Sequence, residues 1–367
     1  MTISTPKTLY SRFLSGLNGN LHFAAHSHHF WPDISREAHL QYWDDSARLS
    51  DGKWDKIFSE VIPKTQTHIA RILNLKDRSQ IALAPNTHEL ITRLLSLFIG
   101  KKKLNILTTA SEFHSWRRQY LRLAEFSDVN ITQVETRSLL ENRQNFLESF
   151  IFHLEQKPDL VYLSQVFFDS GLALTDTELQ HLVRHCHQET IFIIDGYHAF
   201  AAIPTDLSTL EGRVFYVGGG YKYAQAGEGV CFLVVPKNEW RPVNTGWFAE
   251  FGELSRPPGT EVGYAKNGMA FMGATQDFSG AYRFNAVWDL FDGYHFSISE
   301  IHSYVKSLQE TFISNFPDLK TSHKLESLFS NLSWHGHFLT LAAKDSTAAQ
   351  AIEEKLRKQK IIIDRRA

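Results

Sequence analysis

Two residues that could act together chemically follow successive apolar runs of the sequence. Asp195 ends the run TIFIID, and Lys222 lies 27 residues further on, in the glycine-rich stretch GGGYKYAQAGEG that follows the run RVFYV. This interval is about one strand–helix–strand step, so both side chains would emerge at the same edge of a sheet. An amine and a carboxylate placed there suit pyridoxal phosphate. The lysine can bond to the cofactor's aldehyde, and the carboxylate can keep the pyridine nitrogen protonated.

The elements that would position these residues alternate along the chain. Short apolar runs are separated by amphipathic helical stretches, and the runs include LNILTTA, DLVYLSQVFF and GVCFLVVP. Near-continuous apolar strands separated by helices predict a mostly parallel sheet covered on both faces. Ligands of such α/β sheets bind beyond the carboxyl ends of the strands.

The pattern divides the chain into three parts. Residues 1–50 are rich in aromatic residues and histidine and have weak periodicity, so we interpret them as an arm that packs on the rest. Residues 51–285 hold the alternating pattern. Residues 286–367 have the pattern of a smaller α+β domain, with a long helix from about Ala286 to Phe316, then a strand, a helix and a last strand, IIID.

Composition and net charge limit the classes of protein to which this chain can belong. The chain has 367 residues, 43% of them hydrophobic and 21% charged, and its net charge of -2 gives no overall field that would attract nucleic acid or acidic membranes. Two cysteines, Cys186 and Cys231, indicate a reducing compartment. The sequence shows neither the apolar core of a signal peptide nor a run long enough to span a membrane. We therefore predict a cytoplasmic protein.

The paired motifs IDGYHAF and VFYVGGGYKYAQAGEG resemble the core of the class V aminotransferase superfamily, within fold type I of the pyridoxal-phosphate enzymes. They are most similar to kynureninase-like proteins, whose pattern is D-x-x-H followed by Y-K-Y-x-x-A-G-x-G. The resemblance spans roughly residues 60–290. It implies an α/β fold with a mostly parallel, seven-stranded-type sheet between helices and a smaller C-terminal α+β domain, here shortened. It also implies a homodimer with shared active sites, each covered by an N-terminal arm.

The resemblance assigns roles around the lysine. Lys222 would bond to the cofactor, Asp195 would pair with its pyridine nitrogen, and His198 would lie near it. Tyr221 would offer its hydroxyl to the phosphate. Taken alone, Asp195 and His198 are better explained as a strand-end cap and a core histidine, and it is their combination with Lys222 that favours the cofactor roles.

Upstream motifs extend the implied site. In APNTHEL, Asn86 or Thr87 would cap a helix whose first turn binds phosphate, with Thr87 and His88 at the family's phosphate positions. Phe113 would lie over the pyridine ring, and Gln165 would contact the cofactor's phenolic oxygen.

Two downstream residues complete the implied phosphate site. The indole N–H of Trp247, in NTGWF, would reach the phosphate, and Thr275, in FMGATQDF, would be donated to the phosphate of the partner subunit.

The segment HSHHFWPD offers three histidines, His26, His28 and His29, as candidate zinc ligands. Metal sites usually gather ligands from separate elements, so we favour a loop that faces the substrate, and we predict no metal.

The sequence departs from the kynureninase pattern at two places. Trp116 stands where that pattern has aspartate, and the segment that would bind the substrate carboxylate after IIIDRRA is absent. Arg366 matches the arginine of the D-x-R step. The remaining candidates for the carboxylate are three arginines between which the sequence does not choose: Arg117, Arg283 and Arg365.

The resemblance thus implies an enzyme that acts on an amino acid, with kynureninase-like hydrolysis of the Cβ–Cγ bond of an aryl-keto amino acid as the first hypothesis. Amino-group transfer is the second, and a cofactor-binding protein with little catalysis is the third. Cysteine desulfuration is disfavoured, because it needs a mobile cysteine and neither Cys186 nor Cys231 lies in a suitable C-terminal loop.

Overall fold

The fold is taken from a computed structural model, which describes residues 6–253, 261–315, 325–329 and 331–366. Its centre is a seven-stranded sheet with strands in the spatial order β2-β8-β7-β6-β5-β3-β4. Five neighbouring strands, from β7 to β4, run parallel, and β8 pairs antiparallel with both β7 and β2. The strands are β2 (Ile81–Ala84), β3 (Lys103–Thr109), β4 (Asp128–Val134), β5 (Leu160–Ser164), β6 (Ile191–Asp195), β7 (Phe215–Gly219) and β8 (Cys231–Val234).

Both faces of this sheet are covered. Every residue of β2, β5, β7 and β8 is buried, and successive side chains of a strand point to opposite faces. The main helices are α2 (Ile34–Leu49), α4 (Ile62–Ile72), α5 (Thr87–Leu95), α6 (His114–Ala124), α8 (Arg143–Leu154) and α9 (Asp176–Arg184). Helix α5 packs on β7 and β8, whereas α6 and α8 pack on β4. The predicted α/β fold with a mostly parallel sheet between helices is confirmed.

The N-terminal segment is more regular than its sequence suggested. After α1 (Ser11–Gly16), a two-residue strand β1 (Leu21–His22) pairs in parallel with β11 (Ile361–Ile362), near the other end of the chain. Helix α2 packs on α10 (Ser279–Gly293), where the hydroxyl of Tyr282 donates to Asp45 at 3.0 Å. Segments that lie far apart in the sequence, near its two ends, are therefore paired with each other.

The C-terminal part begins earlier than its pattern indicated. In place of one helix from about Ala286, α10 ends at Gly293 and α11 (Ile298–Asn315) begins after a turn in which His295 has a φ of 58°. The remaining elements are the hairpin of β9 (Glu326–Ser327) and β10 (Leu341–Ala342), the helix α12 (Ser346–Lys358) and β11. The short helices α3 (Lys53–Lys56) and α7 (Ser138–Glu141) complete the set. Within the described ranges, no helix combines the length and apolar character that crossing a membrane requires.

Candidate active site

Lys222 lies just beyond the carboxyl end of β7, as the sequence predicted. Its ammonium group donates to the backbone carbonyl oxygen of His26 at 2.7 Å, so the N-terminal segment covers it. Burial, with the charge of Arg366 as a second cause, lowers the pKa of Lys222 to about 8. A neutral amine, which is the nucleophilic form, is therefore available much nearer to neutrality than in an exposed lysine.

The glycines before Lys222 serve close packing. A Cβ atom on Gly219 would lie 2.5 Å from the ring of Tyr197 and 2.6 Å from the thiol of Cys231, and one on Gly218 would lie 2.7 Å from Phe232. The glycines with left-handed backbone come later, at Gly227 (φ 70°) and Gly229 (φ 92°), where the chain returns into β8. Small residues thus let β7 run tightly between its neighbours up to the lysine.

Asp195 ends β6, the parallel neighbour of β7, and pairs in register with Val217. Its carboxylate accepts hydrogen bonds from the hydroxyl of Tyr162 at 2.5 Å and from the backbone N–H of Tyr197 at 2.8 Å. Burial raises the pKa of Asp195, and these two donors and the charge of Lys222 act against that rise. The structure therefore brings Asp195 and Lys222 together at one sheet edge.

Three buried polar atoms near the lysine lack a partner among the described residues. They are Nε2 of His198, the hydroxyl of Tyr223 and Nη1 of Arg366. Burial, together with the charges of Lys222 and Arg366, holds the pKa of His198 far below its usual value, so its ring is neutral. Buried polar groups are rarely left unpaired, so these atoms mark a place for a polar ligand.

The phosphate end of the implied site is built on α5. The side chain of Asn86 caps this helix by accepting from the backbone N–H of Glu89 at 3.0 Å, and Thr87 and His88 form its first turn. Free N–H groups at such a helix start favour anions. Tyr221, assigned to the same phosphate, contacts Nδ1 of His28 at 3.3 Å.

Phe113 and Gln165 differ in how well they suit their assigned roles. Phe113 precedes α6 and is 47% exposed, so its ring is accessible to a ligand. Gln165 is only 1% exposed, and its amide donates to Thr205 at 3.1 Å and accepts from Tyr216 at 3.0 Å. Since both ends of this amide are engaged in the core, the structure does not support its assignment to the phenolic oxygen.

Trp247 and Thr275 lie together at the surface. The indole N–H of Trp247 donates to the Thr275 hydroxyl at 3.2 Å, and the indole is 37% exposed. The described contacts of this pair are with each other and with the aromatic cluster around Phe248 and Trp54, so within one chain they do not join the residues around Lys222.

The structure also selects among the four arginines. Arg283 is buried and donates to Ser279 and to the backbone oxygen of Ala226, whereas Arg365 pairs with Glu353 at 2.9 Å. Arg117 is exposed beside His114. Of these four, Arg366 lies near enough to Lys222 for its charge to lower the pKa of that amine.

Arg366 is held in place by its neighbours. Its Nε donates to Asp364 at 3.0 Å, and its guanidinium lies 5.0 Å from the ring of Phe168 and 5.2 Å from that of Phe338. Asp364 also contacts Nε2 of His26 at 3.1 Å. This location of Arg366 could not be predicted from the sequence, because it depends on the pairing of β11 with β1 near the opposite end of the chain.

The three N-terminal histidines have separate partners. His26 faces Asp364, His28 faces Tyr221, and the ring of His29 lies 6.0 Å from that of Tyr223. In the part of the chain that the structure describes, no group of three or more histidine, cysteine, aspartate or glutamate side chains is arranged to hold a metal ion.

These residues fit pyridoxal phosphate. A covered amine with a lowered pKa stands beside a buried carboxylate, unpartnered polar atoms surround them, and the start of a capped helix offers N–H groups to a phosphate. Each of these groups has a matching feature in the cofactor: the aldehyde, the ring nitrogen, the polar ring substituents and the phosphate.

Comparison with known proteins gives the same fold. The sequence profile described as Aminotransferase class-V matches residues 35–364. A structure of a C-DES mutant with glycine covalently linked to its PLP cofactor is 19% identical, with a TM-score of 0.82 over 98% of this chain and 91% of that one. The cystine C-S lyase C-DES, in complex with its reaction product cysteine persulfide, is also 19% identical, with a TM-score of 0.79 over 95% and 90%.

A third similar structure is the apo cysteine desulfurase from Thermococcus onnurineus NA1. It is 16% identical, with a TM-score of 0.78 over 98% of this chain and 88% of that one. No curated protein matches the sequence.

Proposed function

This chain belongs to the class V aminotransferase family and is a pyridoxal-phosphate-dependent enzyme, and from this premise we propose that it cleaves a bond at Cβ of an amino acid. The first candidate is a C–S lyase that acts on a cystine-type substrate. The observation behind it is that Lys222, with its lowered pKa, lies beside Arg366, whose buried Nη1 is unpaired. These two groups supply what an elimination needs from the protein, a base and an anchor for the substrate carboxylate.

In the proposed reaction, each of these residues has a separate role. When bound, pyridoxal phosphate supplies an electron sink for the electron pair left at Cα. Arg366 binds the substrate carboxylate, and the Lys222 amine takes the proton from Cα. Asp195 holds a proton at the cofactor's ring nitrogen, which keeps the sink effective. The segment around His26 covers Lys222 and limits the access of water.

An elimination reaction is consistent with the burial of both cysteine thiols. Cys186 is 6% and Cys231 3% exposed, and burial raises the pKa of Cys231 to about 12. Neither thiol is therefore a nucleophile that could accept sulfur from a substrate. Elimination needs no protein thiol, because the Cβ–S bond breaks with its electron pair leaving on sulfur.

The overall reaction balances without a further reactant. Cystine and water would give cysteine persulfide, pyruvate and ammonia, with the Cα proton moving to Lys222 and a proton returning to the products. Cysteine persulfide is the product in the similar structure of C-DES. At 19% identity that likeness establishes the fold alone, so the cystine-type substrate is part of the proposal and is tested by the product assay below.

Kynureninase-like hydrolysis of a Cβ–Cγ bond is the second candidate. Aromatic rings lie beside the proposed carboxylate anchor: Phe168 contacts Arg366, and Phe113 meets Phe168 edge-on with centroids 5.5 Å apart. Such a wall suits an aryl substrate. However, Trp116 is buried in the core, so the position of the pattern's aspartate offers the substrate no polar group.

A product assay separates these candidates. The enzyme loaded with cofactor is incubated with L-cystine or with L-kynurenine, and Lys222→Ala is the control. We expect pyruvate and persulfide sulfur from cystine. Alanine and an anthranilate from kynurenine alone would favour the second candidate. Conversion of an added 2-oxo acid to its amino acid would favour amino-group transfer, and an unreactive cofactor absorbance band would indicate a protein with little catalysis.

We also propose a homodimer in which each subunit completes the other's site. Trp247 and Thr275 pair at the surface rather than beside Lys222, as expected of a segment offered across an interface. A twofold axis would then place Thr275 of each subunit at the phosphate of the other.

Mixing two inactive variants tests this arrangement. Lys222→Ala lacks the amine, and Thr275→Glu would place a negative charge at the partner's phosphate. After the subunits reassort, half of the dimers are mixed and each contains one intact site, so about a quarter of wild-type activity should return. If each site were built within one chain, no activity would return. A monomer in sedimentation that turns over substrate would also contradict the proposal.

A further inference from the structure

A buried aromatic pair lies behind Asp195. The indole of Trp116 stacks on the ring of Tyr162, with centroids 4.2 Å apart and planes 12° from parallel. The Tyr162 hydroxyl donates to Oδ2 of Asp195 at 2.5 Å. Thr108 ties the pair together, because its hydroxyl accepts from the Trp116 indole N–H at 3.0 Å and donates to the backbone oxygen of Tyr162 at 2.9 Å.

Packing alone does not explain this arrangement. A phenylalanine would stack on Trp116 equally well, but it would leave Oδ2 of Asp195 without its side-chain donor. A buried carboxylate without donors tends to take up a proton, because burial penalises the charged form. A hydroxyl–carboxylate contact of about 2.5–2.7 Å is among the strongest hydrogen bonds that proteins make.

We propose that Tyr162 is a positioning residue that keeps Asp195 ionised, so that the proton shared between this carboxylate and the cofactor resides on the ring nitrogen. Trp116 and Thr108 hold Tyr162 in the orientation that this role requires. The inference rests on the cofactor but on no particular reaction, so it stands or falls separately from the proposed lyase activity.

Other titratable groups face Asp195 from the elements that pack on it. Lys222 favours the ionised carboxylate while it is charged, but it loses that charge as a free amine. Glu112 faces the same region from the turn before α6, and burial raises its pKa to about 8, so it adds no full negative charge at neutral pH. The remaining titratable groups near the carboxylate are neutral hydroxyls and a thiol: Tyr197, Tyr216 and Cys231.

The role proposed for Tyr162 explains why this chain has a tryptophan, Trp116, where the kynureninase pattern has aspartate. In the kynureninase pattern an aspartate stands at that position, whereas here the indole is 2% exposed and faces the core. Trp116 therefore reaches the cofactor indirectly, through Tyr162 and Asp195.

The test reads the proton on the ring nitrogen directly. Enzyme reconstituted with ¹⁵N-labelled pyridoxal phosphate is examined by NMR as wild type, as Tyr162→Phe and as Asp195→Asn, which marks the position of an unprotonated nitrogen. In Tyr162→Phe we expect the resonance to move from the wild-type position toward that of Asp195→Asn. Losing a hydrogen bond to a charged group should shift the proton equilibrium by about ten- to a hundredfold.

Tyr120→Phe is the matched control. Tyr120 also meets the Trp116 indole, edge-on at 5.6 Å, and is equally buried, but its hydroxyl accepts from Gln133 at 2.7 Å instead of serving Asp195. In Tyr120→Phe, the ¹⁵N resonance of the cofactor should stay at the wild-type position. Glu112→Gln, which replaces a neutral acid by a neutral amide, should also leave the resonance in place.

An unchanged resonance in loaded Tyr162→Phe, or an equal shift in Tyr120→Phe, would overturn the proposal. If Tyr162→Phe loads too little cofactor for NMR, Thr108→Val gives a second reading. This change removes the hydroxyl that orients the pair but keeps the side-chain volume, and it should move the resonance in the same direction by less. No movement in that variant would be equally damaging.

Discussion

Replacing Lys222 by alanine is expected to lower turnover by about a hundred- to ten-thousandfold from the loss of proton transfer alone, and further from the loss of the covalent link to the cofactor. The charge of this side chain acts on Asp195, which places the amine beside that carboxylate. The measurement is steady-state product release by the variant and by wild type, at equal cofactor loading. Turnover within tenfold of wild type would show that another group removes the Cα proton.

Lys306 provides a matched control for this result. Burial lowers its pKa to about 8 as well, but its ammonium group donates to the backbone oxygens of Leu332 and His335, both at 2.6 Å. We expect Lys306→Met to lose some thermal stability yet to keep the absorbance band of the bound cofactor. Comparing Lys306→Met with Lys222→Ala distinguishes the effect of removing any buried lysine from the effect of removing the lysine at the sheet edge.

Replacing Arg366 by alanine is expected to reduce kcat/KM by roughly thirty- to several-thousandfold. Removing one partner of a buried charge pair costs about 2–5 kcal/mol, and about 1.4 kcal/mol corresponds to a factor of ten. Cofactor binding should persist, because the assigned contacts of the cofactor lie on other residues. Arg366→Lys should recover only part of the loss, since an ammonium group cannot make the two parallel contacts of a guanidinium.

The neighbouring arginine is the control for this prediction. Arg365 pairs with Glu353 at 2.9 Å on the outer side of the segment, so Arg365→Ala should change kcat/KM by less than about threefold, as expected for a surface ion pair. A larger loss in Arg365→Ala than in Arg366→Ala would show that the wrong arginine has been assigned to the substrate carboxylate.

The sequence predicted the part of the site that local pattern encodes. Asp195 and Lys222 each follow an apolar run, and the parallel pairing of β6 with β7 brings both to one edge. Such runs are recognisable because buried parallel strands are apolar on both faces. The same pattern did not predict the two strands at the edges of the sheet, β2 and β4.

The two strands that the sequence did not reveal lie at the sheet's edges. Strand β4 (Asp128–Val134) has mostly polar or half-exposed residues, and β2 (Ile81–Ala84) is only four residues long. An edge strand such as β4 need not be apolar on both faces, so it lacks the signal of the central strands. Strand β2 is fully buried, but its four residues are too few to stand out as a strand.

Contacts between distant segments were beyond the reach of the sequence. Arg366 reaches Lys222 through the pairing of β11 with β1, and Tyr162 on β5 reaches Asp195 on the adjacent strand β6. The role that the motif resemblance assigns to Gln165 stays a prediction, and its amide has partners inside the core, Thr205 and Tyr216. A motif fixes the residue type at a strand end, but the direction of a side chain depends on the neighbours it packs against.

Lys222 is expected to hold the cofactor through a covalent bond. Borohydride reduction of the loaded enzyme fixes the bond between amine and cofactor, and peptide mapping by mass spectrometry then locates the pyridoxyl group. We predict a single modified residue, Lys222, in the peptide that contains GYKYAQAGEG. A pyridoxyl group on Lys306 or on any other lysine, with Lys222 unmodified, would show that Lys222 does not hold the cofactor.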